Sequence, residues 1–249
     1  MTVLRKMEFI TPKWPVPNTV KAISTTRAFG ESVGAYSSLN LGSHVGDSAD
    51  TVQRNRASLR TILELPNEPL WLDQTHGNHV IDHARNADIS GTDGVYTNQG
   101  GAVCAIMTAD CLPLLFANET GDEVAAVHAG WRGLCNGVIE NAIRRFRCAP
   151  EQVSAWAGPC IGSDAFEIGQ EVKTQIGGPE EAYREANDAG KYFANLALLA
   201  QARLEQVGVH RFFNSNECTF SDPKRFFSYR RDGETGRMAS LIWMESGKE

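Results

Sequence analysis

The sequence predicts an α+β fold built on mixed β-sheets, and three observations carry that expectation. Apolar runs too short for helices and rich in strand formers outnumber the helical patterns. The helical patterns fall among them without the regular alternation that a βαβ fold needs. No repeat, low-complexity tract or linker interrupts the 249 residues. A single domain over residues 1–249 is therefore expected, long enough to bury a sizeable core.

Taken in order, "VKAISTTR" (residues 20–27) reads as a strand leading into a Gly/Ser-rich loop. "SADTVQRNRASLRTIL" reads as a helix capped near Ser48 or Asp50, with Val52, Leu59 and Ile62 toward the core. "PLWLDQTHGNHVIDH" suggests strand, polar turn, strand. "GAVCAIMTADCLPLLFAN" and "DEVAAVHAG" are buried-strand runs. "LCNGVIENAIRRFR" sets Leu134, Val138, Ile139, Ala142, Ile143 and Phe146 on one helical face. "VSAWAGP" and "AFEIG" read as short strands, and "PEEAYREAN" and "NLALLAQARLEQVG" as helices, the second stopping at Gly208. "KRFFSYRRDGETGRMASLIWM" reads as a closing hairpin that turns between Gly233 and Gly236.

The net charge of −6 argues against nucleic acid or a membrane surface as the main partner. Six cysteines occur singly, with no CxxC pair, which suggests a reducing compartment. The N-terminal "MTVLRKMEFITPKWP" lacks an apolar stretch of signal-peptide length, so a cytoplasmic protein is expected.

Chemistry concentrates in "TADCLPLLFANETGDEVAAVHAGWRG" (residues 108–133). A turn around residues 119–122 folds Cys111 opposite residues 128–130, so Cys111 and His128 become neighbours at the open end of one hairpin. A thiol beside an imidazole permits a thiolate nucleophile or a shared metal ion. His76, in the polar turn of "WLDQTHGNHV", is the candidate third ligand. Two histidines and a cysteine with a fourth position open is a catalytic zinc pattern. A core cysteine beside a hydrogen-bonded strand-end histidine is the plain alternative. "HAGWRG" then enters the helix at Leu134, and its glycines with Arg132 can form an anion site; equally, the glycines only turn the chain. "GESVG" matches GxSxG, but no helical period follows it, so Ser32 is not read as a nucleophile. Neither GxGxxG after a strand nor GxxxxGK[ST] occurs.

The segments "STTRAFGESVGAYSSLNLGSHVGD", "WLDQTHGNHV", "TADCLPLLF", "AAVHAGWRGL", "GPCIGSDAFEIGQEV" and "FFSYRRDGETGRMASLIW", in that order, resemble the YfiH family, also called the laccase-domain or polyphenol oxidase-like proteins. The resemblance covers almost the whole chain. It implies a four-layer α/β/β/α sandwich with mixed sheets, shared with certain Cys–His toxin domains. It also implies metal ligands at His76, Cys111 and His128. The implied activity is phosphorolysis of adenosine, inosine, guanosine or methylthioadenosine, with deamination of adenosine, which makes the chain a transferase and a hydrolase.

Zinc suits the chain better than copper, because a multicopper oxidase needs many histidines, usually in HxH pairs, and this chain has six and no HxH. Asp110, beside the ligand cysteine, is the candidate proton shuttle for deamination, and Arg27, His44 and Arg132 are candidates to hold phosphate. A Cys–His hydrolase acting as an amidase on a cell-wall precursor peptide is the rival, with Cys111 as nucleophile and His128 as base. A copper polyphenol oxidase ranks below it. A non-enzymatic metal-binding protein would need a fourth protein ligand, for which Cys160 is the nearest nominee.

Overall fold

The structure is a computed structural model that describes residues 8–83 and 88–246. The sheet-forming elements run in chain order: β1 (Phe9–Ile10), β2 (Val20–Thr25), β3 (Val80–Asp82), β4 (Gly94–Thr97), β5 (Val103–Thr108), β6 (Leu112–Asn118), β7 (Val124–Ala129), β8 (Val153–Ala157), β9 (Glu167–Gly169), β10 (Tyr183–Glu185), β11 (Lys191–Ala194), β12 (Arg211–Asn214) and β13 (Met238–Met244). The α-helices are α1 (Ala49–Ile62), α2 (Trp131–Cys135), α3 (Val138–Ile143), α4 (Gln170–Ile176), α5 (Leu196–Gln206) and α6 (Tyr229–Asp232).

Two main sheets pack face to face. One has the order β1-β2-β13-β5, the other β12-β8-β6-β7-β4-β3, and β10-β11-β9 form a small third sheet. Pairing is antiparallel except for β12 with β8 and β3 with β4, so the large sheet is mixed.

Period-2 alternation decides which side chains meet where. In β5, Cys104 and Ile106 face the layer between the sheets, while Val103 and Ala105 face outward onto the α1 side with Leu59 and Leu41. In the β6–β7 hairpin, Leu115, Ala117, Val124 and Ala126 fill the inter-sheet layer. Leu112, Leu114, Phe116, Ala125 and Val127 face α3 and α5 through Val138, Ile139, Leu199 and Leu204. Helix, sheet, sheet, helix is the four-layer order that the resemblance implied. Because both faces of both sheets are covered, their strands read as continuous apolar runs. No helix among the described residues is long and apolar enough to cross a membrane.

Four local expectations are corrected. "LCNGVIENAIRRFR" is not one helix: Gly137 at φ +81° breaks it, and α2 begins three residues earlier, at Trp131. "PEEAYREAN" is not a helix, since the turn that follows Pro179 feeds strand β10, which pairs with β11. The closing segment is not a hairpin. The Ser228 side chain accepts from Arg231 N–H and caps α6, and β13 pairs with β2 and β5 instead. Ile62, at the last turn of α1, is 44% exposed rather than in the core.

Candidate metal centre

The β6–β7 register pairs Pro113 with His128 and Leu112 with Ala129. Carried one step further, it sets Cys111 opposite Gly130, inside the range expected from the turn. Thr108 ends β5 in one sheet and Leu112 begins β6 in the other. The residues between them therefore carry the chain across the inter-sheet layer. Asp110 takes φ +86° to make that crossing, a left-handed conformation that Asp tolerates better than most residues. His128 alternates with Val124 and Ala126, so it faces the end of the same layer.

His76 is delivered by the turn before β3. The Gln74 side chain brackets Met107, donating to its carbonyl at 2.8 Å and accepting its N–H at 2.8 Å, which staples the turn to β5. His76 itself sits at φ +63°. The ligand atoms of His76, Cys111 and His128 all lie within 4.8 Å of one another. The three donors are therefore close enough to turn onto one ion at the usual bond lengths of about 2.0–2.3 Å. The two imidazole rings meet edge-on, with centroids 4.7 Å apart. His128 is buried, Cys111 half-buried and His76 exposed, so the triad reaches solvent through His76.

Asp93 organises two of the three donors. It precedes β4, whose Gly94 pairs with Val127, and is fully buried. Its carboxylate accepts the Nδ1–H of His128 at 2.7 Å. It also accepts the backbone N–H groups of Thr75 at 3.1 Å, His76 at 2.9 Å and Gly77 at 2.6 Å. A carboxylate on Nδ1 fixes the tautomer that leaves Nε2 free to bind a metal. Burial pushes the Asp93 carboxyl up, but the His128 bond and the backbone donors outweigh it and hold the group below the usual carboxylate range.

Burial likewise opposes charge on Cys111 and His128, yet their mutual attraction and hydrogen bond prevail. The thiol is drawn down to about 6 and the imidazole raised to about 9. Both shifts favour the thiolate–imidazolium form of the pair, and a thiolate is the form that ligates metals.

Gly130 provides a direct sign that this space is kept clear for the donors. A Cβ at this position would lie 3.0 Å from Cys111 Sγ and 3.1 Å from His76 Cδ2, although its backbone at φ −64° suits alanine. Gly130→Ala is expected to displace these donors and lower metal content on the order of tenfold, with cooperative unfolding retained. Full occupancy measured by elemental analysis would refute the clearance argument.

The triad forms part of the wall of a cavity of about 560 Å³, lined by 17 residues that include His44, Asp110, Trp131, Arg132, Phe166, Tyr229, Arg230 and Arg237. That size lies in the range of small-molecule sites. Of the residues expected at the site, His44 and Arg132 line this cavity, and Arg132 stacks over the Trp131 ring at 4.3 Å. α2 has only five residues, and Arg132 lies within it rather than before it.

Asp110 also lines the cavity, with both oxygens engaged. It accepts from Thr219 Oγ1 at 2.6 Å, Ser228 Oγ at 3.0 Å and Arg230 N–H at 2.7 Å. Arg27 is not brought to the cavity: it bonds the carbonyls of Ser37 at 2.8 Å and Pro223 at 3.2 Å and lies over Phe227. Cys160 is not in the triad. It sits buried beside Cys218, and burial raises its thiol pKa. Ser32 is buried and bonds Asp47 at 2.6 Å, a structural role. The sequence reading missed Asp93, Gln74, Arg230 and Arg237. Gln74, Arg230 and Arg237 stand inside quoted segments, whereas Asp93 in "GTDGVYT" reads as an ordinary turn residue.

Fold and site together define a mixed-sheet α/β/β/α protein with a two-histidine, one-cysteine centre at the end of its inter-sheet layer. The chain belongs to the family described as multi-copper polyphenol oxidoreductase laccase, whose profile matches residues 21–245. It is 45% identical over 244 residues to a purine nucleoside phosphorylase of Haemophilus influenzae, covering 96% of this chain and 100% of that one. It is 47% identical over 240 residues to the purine nucleoside phosphorylase YfiH of Escherichia coli K12, covering 95% and 99%. A crystal structure of a Neisseria meningitidis protein superposes with TM-score 0.89 at 43% identity, covering 95% of this chain and 99% of that one. YlmD from Geobacillus stearothermophilus superposes with TM-score 0.88 at 29% identity, covering 98% of each.

Proposed function

We propose that this chain is a zinc-dependent purine nucleoside phosphorylase that also deaminates adenosine. The observation that carries the reading is the His76–Cys111–His128 triad set in a cavity rich in arginine and aromatic side chains. The names of the relatives support the phosphorylase part.

The donor set suits one zinc ion with an open position. Two imidazoles and a thiolate also occur in blue-copper sites, which add a weak axial methionine. Met107 is the methionine lining the cavity, and its Sδ is taken by Arg56 Nη2 at 3.7 Å. The triad is the only such ligand group among the described residues, which is too few for a multicopper centre. A zinc ion held there supplies a Lewis acid that acidifies water and polarises oxygen.

The chain's own residues do the rest. Trp131, Phe166 and Tyr229 offer faces for a purine ring. In phosphorolysis a phosphate oxygen bonds C1′ as the C1′–N9 bond breaks. The electron pair leaves with the purine, which takes a proton, and ribose 1-phosphate results. The cavity's cations hold the phosphate in line for that attack. In deamination water adds at C6 and ammonia leaves. Asp110 would serve as the shuttle by exchanging one of its three donors for the substrate. A cytoplasmic location belongs to this proposal and is supported by six cysteines that occur singly in the sequence.

One observation favours a second reading. Cys111, His128 and Asp93 line up as nucleophile, base and orienting carboxylate. That suits an amidase acting on a cell-wall precursor peptide. Such an enzyme needs no metal and gains nothing from His76.

The test is metal analysis of protein purified without added metal, with adenosine turnover followed across a phosphate titration. Zinc near one per chain and phosphate-dependent adenine release are expected. Phosphate-independent release would mean hydrolysis, and amide cleavage by metal-free protein would establish the rival. Arg132→Ala is expected to slow phosphorolysis on the order of tenfold, as for one exposed charge-assisted hydrogen bond of about 1.5 kcal/mol. Inosine formation should fall less; equal loss of both products would place Arg132 outside phosphate binding.

A further inference from the structure

We propose that Arg237, with His44 beside it, is the seat of the phosphate dianion in this cavity. The assignment rests on the phosphorylase reading and goes beyond it by naming the anchoring cation.

The three cavity arginines differ in how they are held. Arg132 is exposed and stacked on Trp131. Arg230 is exposed and tethered to the Glu167 carbonyl at 2.9 Å. Arg237 is half-buried and forms no ion pair among the described residues. Its Nη1 donates to the carbonyls of Thr235 and Gly236, each at 3.0 Å. That fixes the guanidinium plane and leaves Nε and Nη2 without an acceptor among the described residues. Two parallel N–H groups are the fork that arginine presents to phosphate.

The backbone beneath is clamped as well. Arg237 N–H donates to Asn40 Oδ1 at 2.9 Å, and its carbonyl accepts Leu41 N–H at 3.1 Å. Gly42 clears the stem, since a Cβ there would lie 2.7 Å from Arg237 Cγ.

Charge balance points the same way. Cys111 and Asp110 act on Arg237 through space, but neither meets it in an ion pair among the described residues, so its half-buried guanidinium still favours an anionic guest. Asp110 is the one carboxylate in the lining, and Thr219, Ser228 and Arg230 already occupy it. Burial, then the charge of Arg237, hold the His44 imidazole below its usual range. His44 lines the same cavity wall and can add a hydrogen bond to a phosphate oxygen held by Arg237.

The experiment titrates inorganic phosphate into the zinc-loaded full chain by calorimetry, beside steady-state phosphorolysis. Arg237→Gln is expected to weaken phosphate binding, and to raise KM for phosphate, on the order of a hundredfold, as for a lost bidentate charged contact. KM for the nucleoside should stay within about threefold, a change of under 1 kcal/mol. Arg237→Lys keeps the charge without the fork and should recover part of the binding. It also answers for the site if the Gln variant does not fold. Wild-type phosphate affinity in both variants, or no phosphate binding by the wild-type protein, overturns the assignment. Wild-type phosphate binding that Arg237→Gln abolishes, without any phosphorolysis, would leave the anion seat standing and sink the phosphorylase reading. Normal phosphorolysis in Arg237→Gln would do the reverse.

Discussion

If the chain is the metal-dependent phosphorylase proposed above, Cys111→Ala is expected to abolish nucleoside turnover and metal binding while leaving the fold intact. Cys111 is the only sulfur in the triad, and its thiol is already drawn to the thiolate by His128. Losing a supporting group outside the ligands commonly costs about 10–100-fold in metal affinity, so losing a ligand costs at least that. Stability is carried elsewhere. The apolar bodies of β6 and β7 fill the two clusters that flank the large sheet, and Cys111 belongs to neither. The metal-free variant should therefore lose no more than the few kcal/mol that separating the Cys111–His128 pair costs and should still unfold cooperatively. Elemental analysis and thermal unfolding of wild type and variant check this together. An active variant would remove the thiol from the chemistry. A variant that no longer unfolds cooperatively would make Cys111 a folding residue instead.

The parts of the site that could be read in the sequence share one property: their geometry is local. The β6–β7 hairpin has a turn at known length, so arithmetic along the chain places Cys111 near Gly130 and His128 near Pro113. The helix over α1 announces itself through its Ser48 cap, whose side chain accepts from Thr51 N–H, and through Val52 and Leu59. Asp93 had no such signal. Its importance comes from pairing between β4 and β7 and from the turn of residues 75–77 folding over it, two contacts that no periodicity encodes. Arg27 shows the converse. A cation at a strand end, ahead of a glycine loop, resembles a phosphate ligand until the fold hands its guanidinium to two carbonyls. The break between α2 and α3 turns on the conformation of Gly137, because the apolar face continues across it and hides the interruption.

Asp93 is expected to be the most sensitive position outside the ligands themselves. Its carboxylate is fully buried, and it satisfies His128 Nδ1 and the three backbone donors of residues 75–77. Asp93→Ala leaves all four donors without their partner. Breaking such a buried charged network costs about 3–5 kcal/mol, which lowers Tm by roughly 10 °C in a chain of this size. The same change removes the acceptor that orients the His128 ring through Nδ1 and lets the His76 turn relax from its left-handed conformation, so two donors lose their orientation together. Asp93→Asn keeps the volume and one carbonyl oxygen but turns an amide N–H₂ toward backbone donors. It should fall between wild type and Asp93→Ala in both Tm and zinc affinity, the affinity lying about 10–100-fold below wild type. Because its three ligands remain, excess zinc should restore most of the activity of Asp93→Asn. The same zinc should do nothing for Cys111→Ala. Asp93→Asn with unaltered zinc affinity and Tm would show that the carboxylate holds neither His128 nor the His76 turn.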